Sequence, residues 1–356
     1  MSSLLFSGFR VFGVRLKTLI LSLQENSKNF ATRSYLTLTV IAQNALYRRV
    51  KNRGLEIFFG FLTCFMIYDL LYLILWEICR SIAGIFISLT PAAKTAGVLA
   101  ADLLAAVTVI LGYLYTKVIK TRTLTIPLGL NAPYRMVLLS DLHLGAFVRQ
   151  AHVKKLVEKI NALHPDMVVI SGDLIDVGNR ILADAPALSQ IAGELAKIQA
   201  KDGVFAVLGN HDPYAGNEAF VRFLRESRIK LLHNEAVCFP GFNLVGRTDA
   251  RCGLRKIITS FEKKIDRSKP VIVLDHDPGN IPDAVSFGAS LVLCGHTHKG
   301  QFFPATLFTK WANGKHYFYG HEIFGKTHAV ITSGAGFFQL PVRIGTSNEI
   351  VLMELK

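Results

Sequence analysis

Residues 136–145 read MVLLSDLHLG. Four β-branched or aliphatic side chains in a row, too few for a helix and without polar alternation, stop at the small polar cluster Asp141-Leu-His143. The same pattern returns at 167–173 (MVVISGD), 204–212 (VFAVLGNHD), 271–277 (VIVLDHD) and 291–298 (LVLCGHTH). Short apolar runs bounded by Gly and Asp read as strands buried on both faces. Helix-like stretches lie between several of them, at 151–163 and 217–228. Strands alternating with helices predict a layered α/β fold. In such folds the ligand site gathers beyond the carboxyl ends of the strands. All five polar clusters sit at that end, so they can converge although 157 positions separate Asp141 from His298.

The chemistry of those clusters is specific. Asp141, His143, Asp173, Asn210, His276, His296 and His298 offer oxygen and imidazole donors and no thiolate. That set suits Mn, Fe or Zn and argues against a structural zinc. Seven protein ligands are too many for one ion and suit two divalent ions sharing a carboxylate. Such a pair serves in-line attack at phosphorus, activating water and stabilising the developing charge. Any one of these motifs occurs by chance, and a lone histidine is commonly a structural residue. Five in order, each ending a strand-like run, are not explained that way.

The blocks SDLHLG, SGDLID, LGNHD, LDHDP and CGHTHKGQ resemble the five signature motifs of the calcineurin-like metallophosphoesterases, over roughly residues 134–356. The resemblance implies a four-layer α/β/β/α sandwich, which in this chain would follow an N-terminal membrane-helix region read from composition. It also implies a binuclear site, with Asp141, His143 and His298 on one metal, Asn210, His276 and His296 on the other, and Asp173 bridging. His211 would lie beside the metals, stabilising phosphoryl oxygens or protonating the leaving oxygen, and Asp212 would orient its ring and keep it cationic, unless Asp212 is a turn residue. Manganese is the expected metal, with Fe, Zn or Mg as alternatives. His152, His164, His233, His316, His321 and His328 fall outside the blocks and are read as non-ligands. The HDP form of the fourth block, GHTHxGQ, and Pro341-Val-Arg-Ile-Gly345 followed by Glu349-Ile350 resemble a membrane-anchored bacterial subgroup, which includes a UDP-2,3-diacylglucosamine pyrophosphatase of lipid A biosynthesis. Lys299 departs from that pattern, standing where Gly is expected.

The rest of the chain divides by composition. Residues 1–53 carry nine Lys/Arg against the single acid Glu25, residues 54–120 carry four against four, and residues 121–356 carry 27 against 21. The net +14 is therefore concentrated at the amino terminus, away from the domain where a nucleic-acid binder would hold it. We read a basic cytoplasmic or interfacial segment (1–53), two transmembrane helices within 54–120 (about 57–76 and 97–116), and the phosphoesterase domain (121–356). Each apolar run of about 20 residues matches a bilayer core of roughly 30 Å. Arg48, Arg49, Lys51 and Arg53 before the first span, and Lys117, Lys120 and Arg122 after the second, predict both ends in the cytoplasm and an inner-membrane location. Residues 4–23 read as an amphipathic interfacial helix or a further span. Asp69 and Asp102, one acid in each span, read as helix–helix contacts, with transport as the competing assignment. Five cysteines without regular spacing suit a reducing compartment.

Two stretches bear on substrate. Arg247, Arg251 and Arg255 recur every four residues and would share a helix face if the segment is helical, there to grip a diphosphate or anionic headgroups, or simply to face solvent. Lys299 would add a cation beside the metals or point to solvent. Phe302, Phe303, Phe308, Trp311, Tyr317, Phe318 and Tyr319 would guide acyl chains, seat the domain on a bilayer, or pack ordinarily. The expected activity is hydrolysis of a phosphodiester or pyrophosphate bond in an amphiphilic membrane substrate, first UDP-2,3-diacylglucosamine, giving a lipid monophosphate and UMP. A less specific phosphodiesterase or phosphatase is the alternative, and a non-catalytic scaffold the alternative of another class. Nothing in the sequence fixes an oligomeric state, and nucleic acid is not an expected partner.

Overall fold

The computed structural model describes residues 52–253 and 255–356, which form two compact units divided between Leu111 and Gly112. The expectation for residues 4–23, and most of the basic segment, lie outside the described residues.

The first unit is built on two helices, α1 (Arg53–Ala83) and α2 (Pro91–Tyr115). Both exceed the expected spans because polar turns continue them. Asn52 caps α1 by accepting from the Leu55 amide at 3.2 Å, and an ion pair between Glu77 and Arg80 extends its far end. Pro91 starts α2, where a missing N–H costs nothing. At 31 and 25 residues they are long and apolar enough to cross a membrane. Tyr72 and Thr108 hydroxyls meet at 2.8 Å, and the Trp76 ring occupies the space above Gly97. Asp69 lies on the buried face of α1 with Thr63, Cys64, Tyr68 and Leu73, as a helix contact would. Outward, Phe58, Leu75, Ile78, Leu99, Leu103 and Ile110 are exposed, a surface suited to lipid rather than water.

The second unit holds two six-stranded sheets. The first has the order β1-β12-β2-β3-β4-β5, from β1 (Ile119–Ile126), β2 (Tyr134–Leu139), β3 (Met167–Ile170), β4 (Gly203–Ala206), β5 (Ile229–Leu231) and β12 (Asn348–Leu355). The second has the order β10-β11-β9-β8-β7-β6, from β6 (Glu235–Cys238), β7 (Asn243–Gly246), β8 (Val271–Leu274), β9 (Leu291–Cys294), β10 (Gly320–Phe324) and β11 (Thr327–Ile331). The five expected strands are all present, and β1 starts two residues before the expected boundary at 121.

Alternation along each strand builds three apolar layers, because successive side chains point to opposite faces. Val137, Leu139, Val168 and Ile170 meet α3 (Gln150–Ala162), α4 (Ala185–Leu195) and α5 (Glu218–Glu226) through Leu156, Ile160, Ile191, Phe220 and Phe223. Met136, Leu138, Met167 and Val169 face Leu244, Ile272, Leu274 and Leu293 between the sheets. Val273, Val292 and Ile331 pack outward on Phe261, Ile281, Ala284 and Phe287, the last turns including α6 (Ile281–Ser286). The result is the four-layer α/β/β/α sandwich. Within the sheets β2, β3 and β4 are mutually parallel, as are β7, β8 and β9.

Candidate metal centre

The loops after β2, β3, β4, β8 and β9 bring the seven expected ligands together. One group is Asp141, His143 and His298, with the two ring Nε2 atoms 3.1 Å apart and the Asp141 carboxylate 3.3 Å from His298. The other is built on Asp173 and His276, 3.1 Å apart. Asn210 Oδ1 lies 3.1 Å from His276 Nε2 and 2.8 Å from His296 Nδ1. Asp173 Oδ2 also comes within 3.7 Å of His143, so its carboxylate reaches both groups.

Two observations fit a pair of cations. Imidazole nitrogens face one another at His143–His298 and, at 3.3 Å, His276–His296, and carboxylate or amide oxygens of Asp141, Asp173 and Asn210 converge on the same space. Moreover Asp141, His143, Asp173, His296 and His298 all hold left-handed backbone, with φ between 48° and 71°. Non-glycine residues pay for that conformation, and it collects at functional sites. Glycine permits the close approach of the loops: a Cβ on Gly172 would lie 2.7 Å from the Gly209 backbone and from His276 Nδ1.

Electrostatics sort the rings. Burial, reinforced by the charge of His143, holds His298 well below the usual imidazole range, and burial lowers His296 too; both therefore stay in the neutral, ligating form. Burial alone would lower His276, but Asp173 more than offsets it and raises it well above. Asp173 mirrors this: burial would raise it, yet His276 and its neighbours hold it low.

His211 lies beside the cluster as expected, its amide donating to Asp173 Oδ1 at 2.8 Å and its ring 4.8 Å from that of Phe338. Asp212 does not orient it. Both Asp212 oxygens are taken by backbone amides, of Gly209 at 2.8 Å and Ile175 at 2.9 Å, because closing the 209–212 turn directs the carboxylate under the loop. Burial, with the charge of Asp173, pushes Asp212 up to about 7. Burial likewise lowers His211, so the expectation of a cationic ring maintained by Asp212 is corrected.

The arginines do not form one helical face. Arg247 follows β7, Arg251 lies in a single 3₁₀ turn and Arg255 is in irregular backbone. Arg247 is buried, pairing with Asp275 at 3.2 Å and Asp283 at 3.1 Å, and Arg255 pairs with Asp275 at 2.5 Å. A carboxylate with no access to water draws them inward; only Arg251 stays exposed. Lys299 has the left-handed backbone (φ 52°) that explains why glycine suits its position, and its ammonium sits 4.1 Å over the Tyr319 ring.

Sequence reasoning passed over three supports. Asp176, three residues after Asp173 in the same SGDLID block, places Oδ1 3.4 Å from His143 Nδ1. Burial would lower His143; Asp176, with Asp173, raises it instead. Arg343, in the late PVRIG block, is wholly buried and donates to the carbonyls of His298 at 3.0 Å and Ser333 at 2.8 Å. Gln301 bonds both the amide (2.7 Å) and carbonyl (3.0 Å) of Phe338, fixing the ring that faces His211. The acid spacing in SGDLID was a readable signal for Asp176, and the PVRIG block marked Arg343 without its contact; Phe338 gave no signal, since its role depends on chain return. Of the other histidines, His152 bonds the Ala335 carbonyl, His233 Thr248, His316 Glu322, and His321 His328.

Two overlapping Asp/His groups at the strand ends of a four-layer sandwich, consistent with a binuclear centre, are what the metal-dependent phosphoesterase class presents. Residues 134–300 match the calcineurin-like phosphoesterase family. An uncharacterized metallophosphoesterase of Helicobacter pylori (strain J99) is 35% identical over 64% of this chain and 60% of its own length. A Danio rerio transmembrane protein with metallophosphoesterase domain is 32% identical over 65% of this chain and 55% of its own. The phosphodiesterase YaeI of Escherichia coli K12 is 30% identical over 63% of this chain and 83% of its own. This chain belongs to the calcineurin-like phosphoesterase family. It spans only 60% of the length of the Helicobacter relative.

Proposed function

We propose that the protein is a metal-dependent hydrolase of a phosphodiester or pyrophosphate bond in an amphiphilic substrate, working at a membrane surface. The observation that carries the reading is the seven-donor cluster with a carboxylate, Asp173, within reach of both groups. Asp141, His143, Asp173 and His298 would hold one divalent ion, and Asp173, Asn210, His276 and His296 the other, Mn being the first choice. When bound, such ions polarise phosphoryl oxygens and lower the pKa of water. The chain's own groups do the remaining work. His211, in reach of the same space, hydrogen-bonds a phosphoryl oxygen through the proton its neutral ring keeps. Phe338 shields that ring from water, and Asp176 fixes the tautomer of His143.

The two apolar helices support membrane attachment, as does the likeness to a transmembrane relative. Flanking Lys and Arg favour, under the positive-inside rule, a cytoplasmic side for both ends of the helix pair and for the catalytic domain. Within this reading UDP-2,3-diacylglucosamine is the first substrate to try, with water cleaving its pyrophosphate to a lipid monophosphate and UMP. A less specific phosphodiesterase is favoured by one observation: Arg247 and Arg255, which a diphosphate grip would need, are engaged by Asp275.

The test is hydrolysis of UDP-2,3-diacylglucosamine in mixed micelles with Mn²⁺, beside bis-p-nitrophenyl phosphate. Lipid cleavage lost in His211→Ala and Asp173→Ala supports the specific reading. Cleavage of the chromogenic ester alone leaves the less specific enzyme. Cleavage of neither under several metals, with the fold intact, leaves the scaffold.

A further inference from the structure

Beside the metal ligands, a cavity of about 390 Å³ is lined by His296 and His298 from the centre, by Phe338, and by Ala305, Thr309 and Asn313 of α7 (Ala305–Asn313). Those three α7 positions recur every four residues and form one stripe of the helix. About 200° around it, at roughly 100° per residue, lie Leu307 and Trp311, with Phe308 beside them. None of the nine α7 residues is buried, and Trp311 is 85% exposed, Phe308 68% and Leu307 58%. Phe303, just before the helix, is exposed as well. Two other aromatics of this stretch have partners within the domain: Tyr317 stacks on Phe324 and the Tyr319 hydroxyl donates to Glu349 at 2.8 Å. So α7 is a cavity wall whose outer face is a patch of bare aromatic and aliphatic side chains.

We propose that the outer face of α7 docks into a lipid bilayer interface, holding the mouth of the cavity at the headgroup level. Trp and Phe on one side of a short helix, with lysines at its edge, are what an interfacial helix requires. The charge agrees: residues 301–321 contain Lys310 and Lys315, both exposed, and no Asp or Glu, which suits anionic headgroups. A protein partner for so basic an apolar patch would have to be supplied from solution. A bilayer is already at hand through the chain's own two apolar helices, at high effective concentration. The inference rests on the membrane-surface reading above and deepens it, since an amphiphile could pass its phosphate to the cavity while its chains stay in lipid.

The chain has two tryptophans, Trp76 and Trp311, so fluorescence reads the helix directly. Full-length protein carrying Trp76→Phe is placed in nanodiscs of phosphatidylcholine and phosphatidylglycerol, with or without bromine near the head of the acyl chains. Should that variant fold poorly, the difference between wild type and Trp311→Phe isolates the same signal. Docking is expected to reduce Trp311 emission about twofold with brominated lipid and to protect it from aqueous iodide. Full iodide quenching without a bromine effect overturns the proposal. Protection from both quenchers also overturns it, in favour of a second copy or another protein covering the face. Hydrolysis of bis-p-nitrophenyl phosphate in the same discs reports on the hydrolase reading separately, so the failure of one is distinguishable from failure of the other.

Discussion

Removing the Asp176 carboxylate should weaken one metal position and spare the other. Asp176 Oδ1 stands 3.4 Å from His143 Nδ1, the ring nitrogen turned away from Asp141 and His298. Two unit charges at that distance would interact by about 5 kcal/mol at an effective dielectric of 20. That is an upper bound, because a ligating imidazole is neutral. The contact is not a well-formed hydrogen bond, since Nδ1 has no partner of good geometry and 3.4 Å is long, so it counts for no more than the lower end of the roughly 1.5–3 kcal/mol of a hydrogen bond to a charged acceptor. About 1.5 kcal/mol is a little over tenfold, within the usual range for a carboxylate supporting a metal-bound histidine. Calorimetric titration of the apo-protein with Mn²⁺ should show Asp176→Ala weakened roughly tenfold in one of two binding events, and Asp176→Asn less, since an acceptor oxygen survives. Unchanged affinity, or equal loss at both events, would refute the assignment of Asp176 to His143.

Two further outcomes follow from the same centre. Asp212→Ala strips acceptors from the buried amides of Gly209 and Ile175, so it should cost about 2–4 kcal/mol of stability, seen as a lowered melting temperature in detergent. The pH profile of turnover should keep its shape; a shifted limb would restore Asp212 as the partner of His211. His152 is half-buried with Nε2 donating to the Ala335 carbonyl at 2.8 Å, and loss of water around the ring holds its pKa below the ordinary value near 6.5. A folded pKa that is depressed in a base means the unfolded chain binds the extra proton more readily. Stability from His152 is therefore complete above about pH 6.5 and is lost as pH falls below it. Melting curves from pH 8 to 5 should converge for wild type and His152→Gln at the acid end; parallel curves would dismiss the effect.

The sequence by itself determined the strands and the polar clusters that end them. Five apolar runs have no polar face, so each must be covered on both sides, and that alone implies layers. The polar clusters ending those runs all sit at one end of their strands and so can converge, which made Asp141, His143, Asp173, Asn210, His276, His296 and His298 readable as candidate ligands. The two apolar helices were legible for a similar reason, though Asn52, Arg80 and Pro91 carry them further than hydropathy alone suggested.

Tertiary structure decided where each charge and ring is directed. The four-residue spacing of Arg247, Arg251 and Arg255 suggested a shared face. Yet buried Asp275, whose own strand end precedes His276, turns Arg247 and Arg255 inward. Asp212 follows His211 directly, but the turn that closes at Gly209 sends its carboxylate to backbone amides instead. Arg343 reaches the His298 carbonyl across 45 positions, and no local pattern encodes a contact made by chain return. The aromatic run from Phe302 to Tyr319 reads as uniform in sequence. Only the fold separates Tyr317 and Tyr319, which have partners within the domain, from Phe308 and Trp311, which it leaves at the surface. Periodicity fixes which residues share an element; the direction of a side chain in a loop depends on what the rest of the chain has placed beside it.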